Sequence, residues 1–171
     1  MDDRRRRFEA QALPHLDAAY NLARWLCRSS ADAEDIVQDA MLRAYRGFDG
    51  FKGDDAKPWL LAIVRNCWRN AGAQSRRRAH DPLPEGADEI VADDVDPQVA
   101  AMKASQSRKL NELIAELPAE FREVIVLREM EDMSYQEIAA ITRAPIGTVM
   151  SRLSRARALL KAKWLAEEER A

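Results

Sequence analysis

Hydroxyl and guanidinium side chains recur near the end of the chain at a spacing that places them on one face of a helix. Thr148, Ser151, Arg152 and Arg155 follow one another at positions i, i+3, i+4 and i+7, which is the repeat of a helical face. Hydroxyl and guanidinium groups can hydrogen-bond base edges in the major groove of DNA and bind the phosphates around it. This face is therefore a candidate surface for binding duplex DNA.

Two predicted helices and a tight turn hold this face. Ser134 and Glu137 form a capping box that opens a short helix ending near Ile141, and Pro145 cannot continue that helix. Gly147 and Thr148 then open the last helix, which is predicted to reach about Leu165 and to bury Val149, Leu153, Ala156 and Leu160. A short helix, a turn and a basic helix form a helix-turn-helix. Because positions 138–166 hold no acidic residue, the pattern favours DNA over an ordinary solvated helix.

A second candidate surface lies in the N-terminal half. Asp32 is the predicted N-cap of a helix that buries a stripe of apolar residues: Ile36, Val37, Ala40, Met41, Ala44, Tyr45 and Phe48. The opposite face consists of Asp35, Gln38, Asp39 and Leu42. A plain solvated face is the alternative, but an exposed leucine beside carboxylates is unusual unless a partner covers it.

Two further helices complete the N-terminal half. The apolar spacing of Leu13, Leu16, Tyr20, Ala23 and Cys27 predicts a helix that begins at Leu13. A loop with two glycines follows the Asp32 helix, and Pro58 is placed at the first position of the next helix, which runs to Cys67. Basic residues cluster around and after its end, at Arg65, Arg69, Arg76, Arg77 and Arg78.

The charge distribution divides the chain into two modules. Residues 81–97 carry seven acidic groups, no basic group and three of the seven prolines, a composition typical of an extended, flexible linker. After it, a helix is predicted from Val99, Met102, Leu110, Leu113, Ile114 and Leu117, ending before Pro118, and another from Phe121, Val124, Ile125 and Leu127. These patterns predict an all-α chain of two small helical domains joined by an acidic flexible linker. The second domain is predicted to be a helix-turn-helix module of the winged-helix-like kind.

Composition excludes several classes of protein. An apolar fraction of 47% in 171 residues is enough for a packed core, and the longest apolar run, 59–64, is far short of the ~20 residues that span a bilayer. The basic N-terminus has no apolar stretch behind it, so we expect no signal peptide and a cytoplasmic protein. Two cysteines and two histidines in no motif predict free thiols and no metal site. No nucleophile–base pair or phosphate loop is visible, so we expect no enzyme, cofactor or small-molecule substrate.

At these motifs the chain resembles the extracytoplasmic-function sigma factors of bacterial RNA polymerase. The segments SYQEIAAI at 134–141 and PIGTVMSRLSRAR at 145–157 resemble their promoter-reading domain, region 4. DAEDIVQDAMLRAY at 32–45 and FKGDD at 51–55 resemble their N-terminal domain, region 2. The resemblance covers about 13–164 and implies region 2 at 8–80, a linker at 81–97 and region 4 at 98–165. It also implies a subunit that binds core polymerase and directs it to promoters.

The resemblance implies roles for the N-terminal residues. Asp35, Gln38, Asp39 and Leu42 match the surface that docks on the clamp helices of the polymerase beta-prime subunit. Asn66 matches the reader of a flipped, single-stranded minus-ten base, with an ordinary polar helix residue as the alternative. The loop 51–57, with Phe51 and Lys52, would frame that pocket, and the strand backbone would be held by Arg65, Arg69, Arg76 and Arg77. Trp68 could stack on a base or belong to the core.

The resemblance also implies roles for the C-terminal half. Ser151, Arg152 and Arg155 match the readers of the duplex minus-thirty-five element, and Thr148, Arg157 and Lys161 would bind DNA beside them. Met150 stands where many members carry a basic residue, so this chain lacks one DNA contact there. In the family the acidic linker runs near the polymerase active site, where its charge would mimic RNA. An anti-sigma factor is the implied regulatory partner.

Two other functions stay open at this point. A stand-alone helix-turn-helix regulator would bind its operator without polymerase, but it leaves the Asp35 and Gln38 face without a purpose. A sigma mimic that titrates an anti-sigma factor would need a regulatory domain, and such a domain is not evident in this sequence.

Overall fold

The computed structural model describes residues 3–77 and 97–171, and of 75–77, 97, 99 and 100 it describes only the backbone. The described residues form eight α-helices and no strand. The helices are α1 Asp3–Ala12, α2 Leu16–Leu26, α3 Ser30–Gly47, α4 Ala56–Arg77, α5 Pro97–Ala115, α6 Ala119–Ile125, α7 Tyr135–Thr142 and α8 Ile146–Arg170. Single 3-10 turns lie at Leu13–His15 and Phe48–Gly50, and a π-helical turn lies at Val126–Met130. Helices α1–α4 are here called the N-terminal module, and α5–α8 the C-terminal module.

The start of the N-terminal module differs from the prediction. A separate helix, α1, begins at Asp3 and buries Phe8 and Ala12, whereas the predicted domain began at residue 8 and its first helix at Leu13. Pro14 lies in the 3-10 turn between α1 and α2, and Leu13 and Leu16 are 49% and 37% exposed instead of buried. Proline has no N–H to donate and its ring clashes with the preceding turn, so a continuous helix cannot run through this position.

Two predicted helix starts are also corrected. The N-cap of α3 is Ser29, whose Oγ accepts a hydrogen bond from the backbone N–H of Asp32 at 3.1 Å. Asp32 therefore lies inside the first turn, where its carboxylate interacts favourably with the helix dipole and stabilises the helix. Helix α4 begins at Ala56, and Asp55 accepts a hydrogen bond from the N–H of Lys57 at 3.0 Å. Pro58 is thus its third residue and not its first, still within the turn whose N–H groups have no helical partner.

The C-terminal module follows the predicted order of elements. Pro118 separates α5 from α6, as predicted from the restriction that proline places on the preceding residue. Leu113, Ile114 and Leu117 are buried, but Met102 and Leu110 of the predicted stripe are 67% and 40% exposed. Only the C-terminal part of α5 therefore packs in the core.

The two modules pack against each other in this structure. Helix α4 contacts α7, and α2 contacts α6 and the π-helical turn. Buried apolar side chains of both modules belong to one continuous cluster. The sequence pattern had suggested separate domains and showed no sign of this contact. The predicted linker 81–97 lies outside the described residues except for Pro97.

Candidate polymerase- and DNA-binding surfaces

The helix-turn-helix is held by local hydrogen bonds of the predicted kind. Ser134 accepts from the N–H of Glu137 at 3.1 Å, and the Glu137 carboxylate accepts from the N–H of Ser134 at 2.8 Å, which completes the capping box. Arg143 ends α7 in the left-handed region at φ 52°. Pro145 then precedes α8, and its carbonyl accepts from the N–H groups of Thr148 and Val149. The turn therefore sets the angle at which α8 leaves α7.

Helix α8 separates its core from its polar face as predicted. Val149, Leu153 and Ala156 are at most 1% exposed, and Leu160 packs partly against the same core. On the other face, Ser151 and Arg155 are exposed, while Thr148 and Arg152 are half-buried. The Arg152 guanidinium lies 3.9 Å from the carboxylate of Glu120. Ser151 and Arg155 are therefore open to a ligand without any rearrangement.

The remaining candidates on α8 differ in how they are held. Arg157 donates two hydrogen bonds to the Glu129 carboxylate, at 2.7 and 3.2 Å, and these bonds raise the pKa of its guanidinium above the usual value. Lys161 is exposed. Met150, at the position that departs from the family, is 51% exposed. Lys161 can therefore approach a phosphate directly, whereas Arg157 must first leave Glu129 or share it.

The candidate polymerase surface on α3 is exposed. Asp35 and Gln38 are exposed, and Leu42 keeps 56% of its surface accessible. Asp39 is half-buried, and Arg43 donates to both of its carboxylate oxygens at 3.1 Å. Burial, and then the charge and hydrogen bonding of Asp39, raise the pKa of the neighbouring Cys67 thiol to about 11. Asp35, Gln38 and Leu42 are thus the accessible part of this face, because Asp39 already has partners within the module.

The loop after α3 forms one wall of a depression of about 370 Å³. The Phe51 ring lies 4.8 Å from Trp59, centroid to centroid. A Cβ atom on Gly53 would lie 3.0 Å from the Phe51 ring, so a side chain there would displace the ring. Phe51 and Lys52 thus border a shared depression, which is lined by Arg7, Gln11, Phe48, Asp49, Phe51, Lys52, Gly53 and Asp54.

The opposite wall of this depression consists of residues that the sequence analysis missed. Arg7 and Gln11 belong to α1, and the neighbouring Arg4 fastens α1 to the loop by donating to the Tyr45 carbonyl at 2.7 Å and pairing with Asp49 at 3.0 Å. The signal was present in the sequence, because Arg5 and Glu9 form an i,i+4 ion pair of the kind that supports an exposed helix.

Asn66 does not line this depression. It is half-buried on α4, Trp68 packs partly against the core, and Arg69 is exposed. The side chains of Arg76 and Arg77, and all of Arg78, lie outside the described residues. The predicted pocket around Asn66, framed by the loop 51–57, stays a prediction, and the depression beside Phe51 and Lys52 is lined by other residues.

Arg65 differs most from its predicted setting. Only 7% of it is exposed, and its guanidinium donates to both oxygens of Glu123, at 3.0 and 3.2 Å. Glu123 belongs to α6 of the C-terminal module and is 2% exposed. The role predicted for Arg65, holding the backbone of a DNA strand by its charge, stays a prediction, and in this arrangement a carboxylate of the other module already occupies the guanidinium.

A second polar cluster joins the modules at the π-helical turn. Lys57 Nζ lies 3.1 Å from the Glu131 carboxylate and donates to the Glu131 carbonyl at 3.0 Å. Asn21 donates to the other Glu131 carboxylate oxygen at 2.8 Å. Glu131 is 6% exposed, so both carboxylates that cross the interface are buried and both are hydrogen-bonded.

The described residues contain neither a metal site nor a membrane-spanning helix. Among the described residues, no group of histidine, cysteine or acidic side chains could hold a metal ion. None of the described helices is both long enough and apolar enough to cross a membrane.

Comparison with protein families identifies both modules. The family described as sigma-70 region 2 matches residues 13–78, and the family described as sigma-70, region 4 matches residues 107–160. Helix α1, which supplies Arg7 and Gln11, precedes the first match.

Relatives and solved structures match most of the chain. The ECF RNA polymerase sigma-E factor of Escherichia coli is 39% identical over 140 residues, which are 75% of this chain and 71% of that protein. ECF sigma factor SigE of Mycolicibacterium smegmatis is 32% identical over 86% of this chain, which spans only 57% of that relative. RpoE of Bartonella quintana, solved with the anti-sigma factor NepR, has a TM-score of 0.72 at 30% identity and covers 91% of this chain and 94% of its own. CnrH, solved with the cytosolic domain of CnrY, has a TM-score of 0.64 at 26% identity, over 95% and 90% of the two chains. The order of the two matched regions and the identity to sigma-E show that the chain belongs to the ECF family of RNA polymerase sigma factors.

Proposed function

We propose that this chain binds core RNA polymerase and directs it to promoters by reading two DNA elements with two modules. Residues 8–80 bind the polymerase and the melted minus-ten strand, 98–165 read the minus-thirty-five duplex, and 81–97 connect them. The observation that carries the proposal is the exposed Ser151 and Arg155 face of α8, which lies over a buried stripe in the part of the chain that matches region 4.

The α3 face supports the polymerase contact. Leu42 is a large apolar side chain with more than half its surface in water, flanked by exposed Asp35 and Gln38. An apolar residue surrounded by polar groups is typical of a protein–protein contact with a desolvated centre and a hydrated rim. The beta-prime clamp helices are the proposed partner, by the family resemblance.

Two surfaces of the N-terminal module support the strand contact. Phe51 and Lys52 at the depression offer an aromatic face and a cation, which are the groups that bind unpaired nucleotides. Asn66, with one donor and one acceptor group, is the proposed reader of a base edge, and Arg69 is the accessible cation beside it. The proposed chemistry is binding only, so we propose that the chain is not itself an enzyme. Its proposed place of action is the cytoplasm, where it would meet the polymerase.

An anti-sigma factor is the proposed regulator. RpoE of Bartonella quintana was solved with NepR and CnrH with CnrY, and both sigma factors cover at least nine tenths of this chain. The likeness extends over both modules, so an inhibitor that contacts both is the simplest proposal.

Transcription from a promoter library tests the proposal. Core polymerase mixed with the chain should start at a defined set of promoters, and core alone should not. If the chain binds operator duplex tightly without core and starts no transcript with it, it is a stand-alone regulator instead. If it binds neither core nor DNA but captures an anti-sigma factor, it is a sigma mimic.

A further inference from the structure

Two carboxylates of the C-terminal module occupy two cations of the N-terminal module. Glu123 accepts both hydrogen bonds of the Arg65 fork, and Glu131 accepts from Lys57 and Asn21. Both carboxylates are less than a tenth exposed. These contacts, Arg65 with Glu123 and Glu131 with Lys57 and Asn21, are here called the intermodule clasp.

The clasp lies on the surface proposed to hold the minus-ten strand. Lys57 lies in the first turn of α4, directly after the loop that borders the depression, and Arg65 is one of the cations predicted to hold the strand backbone. A guanidinium fork binds a carboxylate or a phosphate with the same two parallel hydrogen bonds, and a lysine ammonium binds either anion as a point charge. The two glutamates therefore stand where the phosphates of a bound strand could otherwise lie.

The closed arrangement cannot read both promoter elements at once. The elements are centred about 25 base pairs apart, which is about 85 Å at 3.4 Å per base pair. In the structure, α4 of the N-terminal module contacts α7 of the helix-turn-helix, so the two modules lie directly against each other. If the chain reads both elements, as proposed above, the clasp must open first.

We propose that Glu123 and Glu131 act as an internal mimic of the DNA backbone, which keeps the free chain closed and competes with single-stranded promoter DNA for Arg65 and Lys57. This inference rests on the proposed function. It adds a partner for Arg65 and Lys57, namely the two buried glutamates of the chain's own C-terminal module.

The energetics suit a contact that opens. A buried ion pair gains little over its separated, hydrated partners, because taking both charges out of water costs about as much as their attraction returns. When the modules separate, both Arg65 and Glu123 can return to water, so no unpaired charge stays buried. The clasp therefore specifies one closed arrangement and adds little to the cost of opening it, which lies mainly in the apolar cluster shared by the two modules.

The test compares the full-length wild type with the double variant Glu123→Gln and Glu131→Gln. The probe is the fluorescent non-template strand of a promoter that the wild-type holoenzyme selects, titrated against free chain. Removing the competing charges should raise strand affinity by about tenfold or more if a tenth or less of the wild type is open and the variant is fully open. Small-angle X-ray scattering should show a larger radius of gyration, with unchanged helicity by circular dichroism.

A matched control variant distinguishes the effect of breaking the clasp from the effect of changing the net charge. Glu116→Gln with Glu167→Gln removes the same two charges, but these glutamates pair within their own module, with Lys163 and Lys109. The control should keep the wild-type radius of gyration and should gain much less strand affinity than the clasp variant.

Two results would overturn the inference. In the first, the clasp variant and the wild type have the same strand affinity and the same radius of gyration, and both holoenzymes still select the promoter. This result would contradict the proposed role of the clasp and leave the proposed function intact. Failure of wild-type holoenzyme to select any promoter would remove both.

Discussion

The two basic surfaces of the molecule look alike in sequence and differ in structure. On α8, Ser151 and Arg155 project into solvent above a buried apolar stripe. On α4, Arg65 is 7% exposed and is held by a glutamate 58 positions further along the chain. A cluster of arginines therefore indicates affinity for an anion, but it does not say whether that anion is DNA or the chain's own carboxylate.

The comparison also separates two kinds of contribution to binding. Ser151 and Arg155 on the polar face of α8 are exposed and lie outside the core of the module, so they can be changed without unfolding it. Arg65 is both a candidate DNA contact and a member of the interface, so its replacement changes two properties at once. This is why the clean tests of DNA reading lie on α8.

The largest expected effect is on stability, and it comes from replacing Leu153, which lies beneath the exposed Ser151 and Arg155 face of α8. Leu153→Ala removes a side chain that is 1% exposed and should lower the free energy of unfolding by about 2–5 kcal/mol, measured by chemical denaturation. Leu159→Ala is the matched control, because Leu159 lies on the same helix and is 38% exposed. A similar loss for both variants would contradict the assignment of the two faces of α8.

Changing the open face itself should alter DNA binding without altering stability. Arg155→Ala should cost about 1–3 kcal/mol of binding at the cognate minus-thirty-five element if the guanidinium contacts a base edge. Binding of wild-type and variant holoenzyme to a set of single-base duplex variants measures it. An equal loss on every duplex would make Arg155 a phosphate contact and leave Ser151 and Arg152 as the candidate readers.

The polymerase surface on α3 should respond as a protein interface. The double variant Asp35→Ala with Gln38→Ala should weaken core binding by about 1–3 kcal/mol if both side chains are buried against the clamp. Titration of the labelled chain with core polymerase measures this affinity. Asp17→Ala, an exposed carboxylate on α2, is the charge control and should bind core as the wild type does. Unchanged affinity in the double variant would place the docking surface elsewhere.

The smallest expected effect is at a phosphate contact on α8. Lys161→Ala should weaken all promoters about equally, because phosphates carry no sequence information. It should also reduce the magnitude of the slope of log affinity against log salt concentration by about one unit. Binding curves at several salt concentrations measure this slope. A loss confined to one promoter sequence would contradict this role.

Local signals predicted the parts of the fold that local contacts stabilise. The Ser134 capping box, the break at Pro145 and the buried stripe of α8 each depend on residues within a few positions of one another. The free state of Cys27 and Cys67 agrees as well. For the same reason the order of the C-terminal helices was predictable.

The errors arise where a local pattern had two solutions or where the contact is distant. Ser29 and Asp32 are both good helix caps, and only the structure selects Ser29. Leu13 and Leu16 fit a helical stripe, but Pro14 interrupts it. The clasp joins residues that are 58, 74 and 110 positions apart, and over such separations in sequence neither periodicity nor charge counting carries information.

One transcription experiment tests most directly the central claim, that a single chain reads two promoter elements with two modules. Reconstituted holoenzymes carrying wild type, Asn66→Ala or Arg155→Ala start transcription on a library randomised at both elements, and the transcripts are sequenced. We expect Asn66→Ala to relax the base preference at one minus-ten position only. We expect Arg155→Ala to relax it at one minus-thirty-five position only. Wild-type ranking of all promoters by both variants, or a shift of both variants at the same element, would contradict it.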